Sequence, residues 1–231
     1  MGINKLFNFK NVIFLIGVIG VLLAGSWGYK NLKFFLDRET VLKQIIHRLE
    51  ADSRIAEVLV TNVKYDELQK KTFTTIKFLE YGTNSQPLEP KYFTFSGNII
   101  QFQSLVIRFK DIHIKEAHKL KDKSAYVFWK VFMLDGKNTQ EFEINPAFQI
   151  PSGYKITGRS DGYEGELWTK FWEYALDPKK ADTMGIKNAQ IEAPGTMFIP
   201  GNLYVVKIEH NGGIRIDVSP LPGILRGEAI K

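Results

Sequence analysis

Side chains able to do chemistry are few and scattered in this 231-residue chain. There is no cysteine, which removes thiol nucleophiles, thiolate metal sites and disulfides. The four histidines are His47, His113, His118 and His210, and only His113 and His118 lie close together, with Glu116 between them. These are zinc-ligating types, but two ligands on one helical face stand three or four residues apart. Five apart, the two imidazoles fall on opposite faces of a strand and off a single helical face. They are expected to be surface histidines of a basic loop, and no metal is expected. The other chemistry worth testing is a carboxylate pair that hydrolyses a glycosidic bond. Asp161, Glu164, Glu166 and Glu173 crowd around Trp168 and Trp172, acids beside aromatic faces as in a sugar-binding cleft. Asp161 and Glu164 also stand at the capping-box positions of a helix, and both tryptophans fall on its apolar stripe. Trp129 sits inside an apolar strand. Core packing is therefore expected, with no catalytic residue, no cofactor and no Gly-rich phosphate loop.

The elements around these residues read as strands. Residues 55–65 and 73–81 are rich in β-branched and aromatic types, and Asp66 to Lys71 between them is a polar turn of hairpin size. Tyr92–Phe95 and Ile99–Phe109 follow, joined by Ser96-Gly97-Asn98. Residues 126–134 (YVFWKVFML) are apolar on both faces except at Lys130, which predicts a central strand buried on two sides. Asp135-Gly136 turns the chain into Gln140–Ile144. Leu203–Glu209 and Ile214–Val218 flank an Asn-Gly hairpin turn. One helical exception spans 162–176, where Tyr163, Leu167, Trp168, Phe171, Trp172, Ala175 and Leu176 form a stripe. Asp177-Pro178 restarts a shorter helix over 178–185, closed by Gly185. The expected fold is mainly β with a helical insertion, a β-sandwich or partly open β-barrel. The helices cover one face or an open end of the sheet.

Ahead of this head, residues 54–231, lies a run of nineteen uncharged residues between Lys10 and Lys30 (NVIFLIGVIGVLLAGSWGY). As a helix it reaches about 28 Å, close to the hydrocarbon thickness of a bilayer. Phe7, Phe9, Trp27 and Tyr29 flank it as interfacial rings. The expected order is a short basic tail (1–10), a transmembrane helix (11–29) and an amphipathic juxtamembrane helix (30–53) with Phe35, Leu42, Ile45, Ile46 and Leu49 on one side. A cleaved signal peptide is the rival reading, since Ala24 and Ser26 have cleavage-site spacing, but Trp27 would follow the cut and the apolar run is long for one. Gly20, Ala24 and Gly28 place three small side chains on one helical face, where a second copy of the helix can approach closely and make a homodimer.

The head carries 24 Lys or Arg against 21 Asp or Glu. So near a balance, with no basic cluster interleaved with aromatics, excludes nucleic acid as an expected partner. Between Pro194 and Pro200, Met197-Phe198-Ile199 makes an apolar loop tip, an expected contact for another envelope protein. Counting Lys and Arg near the anchor alone would keep the head inside, but a short basic tail before a helix and a large domain is how export signals are built. The N-terminus is expected in the cytoplasm and the head outside it. Together these readings describe a single-pass, membrane-anchored binding or scaffolding protein of a bacterial cell envelope. An anchored hydrolase of cell-wall polymer and an apolar-ligand-binding barrel are the alternatives.

Overall fold

The computed structural model describes residues 14–33, 54–82, 85–109, 124–136, 138–155, 162–177, 179–180, 186–209 and 213–223. The chain forms two compact units that divide between Gln44 and Ile45. In the first, helix α1 (Phe14–Lys33) has a mean hydropathy of 1.2 and is long and apolar enough to cross a membrane. None of its described residues is buried. The helix continues past Tyr29, the expected end of the span, to Lys33. The rest of the expected juxtamembrane helix, from residue 34 to 53, lies outside the described residues.

The second unit is mainly β. Its strands are β1 (Arg54–Asp66), β2 (Lys71–Glu80), β3 (Lys91–Phe95), β4 (Ile99–Phe109) and β5 (Ser124–Asp135). They continue with β6 (Asn138–Glu143), β7 (Ile186–Glu192), β8 (Gly195–Met197), β9 (Asn202–Ile208) and β10 (Ile214–Pro220). One antiparallel sheet has the order β10-β9-β1-β2-β3, and the other has β6-β5-β4-β7 with β8 also paired to β4. Hairpin chemistry sets the registers. After β1, Asp66 Oδ1 accepts hydrogen bonds from the backbone of Leu68 and Gln69, both at 2.9 Å, and Lys70 closes the turn with a φ of 51°. Between β5 and β6, Gly136 supplies the positive φ of 58° that a two-residue hairpin loop requires.

Alternation along each strand builds a core shared by both sheets. Ile76 and Phe78 of β2 and Tyr204, Val206 and Ile208 of β9 join Ile100 and Phe102 of β4 and Phe128 and Val131 of β5 in one buried cluster. Phe78 lies at its centre, with ring centroids 5.5 Å from both Phe102 and Phe128 and 6.5 Å from Phe93. The period of two breaks once in β5. Gln103 of β4 pairs with Lys130, and the next residue, Ser104, pairs with Phe128. Trp129 is the extra residue, so Phe128 and Val131 both face the core while Trp129 points to the opposite face. There it meets Trp172 of helix α2 (Gly162–Leu176) at 6.1 Å. The helix stripe Trp168, Phe171, Trp172 and Ala175 is buried, as are Ala125, Val127 and Leu105. β5 is thus buried on both faces from Ala125 to Phe128. Beyond the bulge Val131 and Met133 stay buried in the core, while Trp129, Lys130 and Phe132 are half-buried and Leu134 is 61% exposed, so the expected two-sided burial holds for the first half of the strand.

Two polar clasps join the sheets. Lys71 of β2 donates to Asp135 Oδ2 of β5 at 2.5 Å, and Ser96 Oγ donates to the same oxygen at 3.1 Å. Gln140 of β6 donates from Nε2 to Ser96 Oγ and accepts from Ser96 N. Toward the other end of β2, Lys91 Nζ donates to the Ile144 carbonyl. Two strands depart from expectation. β7 lies in a stretch where no element is expected and β8 in the expected apolar loop, and both complete the open edge of β4. At the position expected to cap the shorter helix, Asp177 Oδ1 accepts from Lys179 N at 3.0 Å and Lys180 N at 3.3 Å. Residues 181–185 lie outside the described residues.

Two outcomes follow. Replacing Lys70→Gly is expected to stabilise the head by about 0.5–1 kcal/mol, because glycine enters the left-handed region without a Cβ penalty; urea denaturation measures it. The donors on Asp135, Lys71 first and Ser96 second, hold its carboxyl below the usual range. A folded value below the unfolded one gives stability that is complete above the unfolded value and is lost as pH falls through the folded one. Asp135→Asn is therefore expected to lower the urea midpoint at neutral pH, with the difference from the parent shrinking below about pH 4.

Candidate functional site

Within α1, Gly20, Ala24 and Gly28 stand on one exposed face. A Cβ built at Gly17, Gly20 or Gly28 meets nothing within 4 Å, so this side of the helix is open to a close neighbour. Gly17 extends the face by one turn, and Phe14, Val18, Val21 and Leu22 rim the shallow apolar notch around it.

In the head, the expected contact Met197-Phe198-Ile199 divides. Phe198 is 1% exposed and belongs to the core, its ring 4.3 Å from Tyr204 and 5.8 Å from Phe102. Met197 and Ile199 point the other way and are 55% and 43% exposed. Strand alternation makes the division, since the segment pairs with β4 at Met197↔Ile99 and continues through Phe198 N to the Asn98 carbonyl at 2.7 Å. The Tyr204 hydroxyl locks the bend by donating to the Met197 carbonyl at 3.0 Å and accepting from Ile199 N at 2.8 Å. Ile99, the cross-strand partner of Met197, is also exposed. The outward surface is thus Met197, Ile199 and Ile99, and Ile99 could be found only from the pairing.

The carboxylate group of α2 does not open as a cleft. Trp168 lies 4.9 Å from Tyr154 and 4.6 Å from Phe171, and the Trp172 indole N–H donates to the Gln149 carbonyl at 2.7 Å. Both tryptophan faces are spent on packing. Glu164 is buried, Glu166 is exposed and Glu173 pairs with Lys180 at 3.4 Å. Asp161 lies outside the described residues, as do His47, His113, Glu116, His118 and His210. Among the described residues no three histidines, acids or cysteines gather as a metal site.

Two literal motif matches escaped the sequence reading. Gly158-Arg159-Ser160-Asp161-Gly162 has Gly-x-Ser-x-Gly spacing, and Ser152-Gly153-Tyr154-Lys155 has Ser-x-x-Lys spacing. A nucleophile elbow joins a sheet strand to a helix. Here a 3-10 turn, Ser152–Tyr154, is the described element preceding α2, and both sheets are antiparallel. Ser152 opens that turn and Lys155 follows it, both exposed, whereas Tyr154 is buried and its hydroxyl bonds the Tyr126 backbone. Shifted groups elsewhere are structural. Burial, then the hydrogen bond it donates to Glu57, pushes the Tyr81 hydroxyl up to about 12, so it stays a donor at neutral pH. Burial lowers Lys91, with Glu80 and Glu89 opposing.

No protein family, curated protein or solved structure matches this chain.

The divided triplet gives a contrast measurable by chemical denaturation. Phe198→Ala is expected to cost about 3–5 kcal/mol, as for a large ring removed from a core. Met197→Ser and Ile199→Ser are expected to stay within about 1 kcal/mol, since both side chains are outside.

Proposed function

We propose that this chain is a single-pass membrane protein whose head is a non-enzymatic binding or scaffolding module of a bacterial cell envelope, with the N-terminus cytoplasmic. The observation that carries the reading is α1: twenty residues of apolar helix with no described residue buried by the protein. Such a surface needs lipid, because large exposed apolar patches are unfavourable in water. The Gly20, Ala24 and Gly28 face pairs two copies in the bilayer.

The head is read as a β-sandwich. Its interior is occupied by stacked and edge-on rings of Phe78, Phe93, Phe102, Phe128 and Phe198. That filling favours a module that binds on its outside over a barrel holding an apolar ligand. The buried tryptophan faces of α2 likewise favour a scaffold over a glycan hydrolase. Met197, Ile199 and Ile99 supply the contact for an envelope protein, an aliphatic surface next to a bend locked by Tyr204.

Alkaline carbonate extraction of native membranes tests the anchor; the chain is expected to stay in the pellet, and release into the supernatant would overturn the reading. Protease added to spheroplasts is expected to digest the head before lysis. Tagged chain solubilised in detergent is expected to co-purify a reproducible envelope protein that Ile99→Lys/Met197→Lys fails to hold, with unchanged thermal midpoint. Equal recovery by both chains would remove the contact.

A further inference from the structure

Phe148 follows β6 in a loop with a φ of 63°. This is the left-handed region, where a Cβ is disfavoured and a bulky side chain is exceptional. The other described non-glycine residues with positive φ, Lys70 and Ser85, are polar. The Phe148 ring is 52% exposed, and it joins none of the ring contacts among the described residues. Strain of this kind persists only where the surroundings over-determine it, and this loop is held from several sides. Ile144 N and Asn145 N both donate to the Trp129 carbonyl, at 2.8 and 3.2 Å. The buried Asn145 side chain donates to the Phe128 carbonyl at 2.7 Å and accepts from Ser152 N at 2.9 Å. Trp172 of α2 bonds the carbonyl of Gln149, the residue beside Phe148. Pro146 and Pro151 fix two more φ angles. The loop is therefore fastened to β5, to the 3-10 turn and to α2, and it presents half a ring to solvent from a backbone that glycine would adopt more easily. Core packing does not account for a ring that stays outside.

We infer that Phe148 is a recognition anchor, a preorganised aromatic knob that fills a concave apolar pocket on a protein partner of the head. Aromatic side chains dominate binding hot spots, and a group ordered before binding loses little entropy on association. A bilayer is the weaker occupant. Lipid adapts to a ring in any orientation, so insertion gains nothing from a pinned, strained backbone, whereas a protein pocket rewards one fixed direction. The inference rests on the reading of the head as a binding module and narrows it to one residue and a ring-sized pocket.

The test places the photoreactive analogue p-benzoylphenylalanine in the full-length chain in cells, as Phe148→p-benzoylphenylalanine. Leu68→p-benzoylphenylalanine serves as control, because Leu68 is apolar and 97% exposed at the β1–β2 tip. Irradiation is expected to give one discrete protein adduct from position 148 and none from position 68. Untagged parent chain expressed alongside should reduce the adduct several-fold, whereas untagged Phe148→Gly chain should not. The Phe148→Gly chain should nonetheless match the parent's thermal midpoint or exceed it by about 2–4 °C, since glycine relieves the positive φ. If glycine loosens the loop, Phe148→Asn, which also tolerates that φ, takes its place as competitor. Equal competition by the variant, adducts from positions 68 and 148 alike, adducts to lipid alone, or none from position 148 overturns the inference. A probe at Met197 separates the two readings: a protein adduct there with none at 148 leaves the binding module standing, and none at either position removes both.

Discussion

The head depends on a single constraint: the first half of β5, Ala125 to Phe128, must be dry on both faces. Its apolar side chains run without a break except at Lys130, and a strand sends alternate side chains to opposite sides. One face is covered by the sheet carrying β1, β2 and β9, through the rings around Phe78. The other needs α2. The bulge at Trp129 lets the strand serve both sides, because it restores Val131 and Met133 to the core after turning an indole toward Trp172. Lys130 is half-buried beside it, its ammonium 4.8 Å over the Trp129 ring and 2.6 Å from Glu141. Fully burying such a large apolar side chain contributes about 1.5–3 kcal/mol, so the two layers together outweigh any of the polar contacts.

Those polar contacts direct rather than drive the fold. The Lys71–Asp135 clasp is partly exposed, and pairs of that kind contribute little net stability. They fix which strand ends meet, and Ser96 makes the arrangement specific by bonding both Asp135 and Gln140. Satisfaction is incomplete in the α2 layer and beside it. Among the described residues, the buried indole N–H groups of Trp129 and Trp168 and the Ser104 hydroxyl have no hydrogen-bond partner. An unpaired buried donor carries a desolvation cost, tolerated here because the ring packing around α2 is dense.

Three of the apolar surfaces left outside differ in character. On α1 the apolar surface runs from Phe14 to Tyr29, which suits lipid. On β4 and β8 it is a small aliphatic group set by strand pairing. At Phe148 it is one ring in a backbone conformation that its own side chain opposes. Only a pinned loop can maintain the last, and the fastening comes from residues distant in sequence, Trp129 and Trp172 among them.

Much of the architecture was legible in the chain, because period and turn chemistry are local. The apolar run before Lys30, the Asp66–Lys71 and Asp135-Gly136 turns, the stripe of α2 and the two-sided burial of the first half of β5 follow from neighbouring residues alone. β7 and β8 were not legible, since Ile186–Glu192 is a polar mixture and Gly195–Met197 is too short for a period; only the open edge of β4 makes them strands. The same dependence split Met197-Phe198-Ile199, whose composition gives no sign of which side chain turns inward. The positive φ of Phe148 likewise has no sequence signature. Local sequence determined which segments form elements and which faces are apolar, because these depend on a few adjacent side chains. Tertiary structure alone decided which apolar residues stay outside, because burial depends on what another part of the chain brings against them.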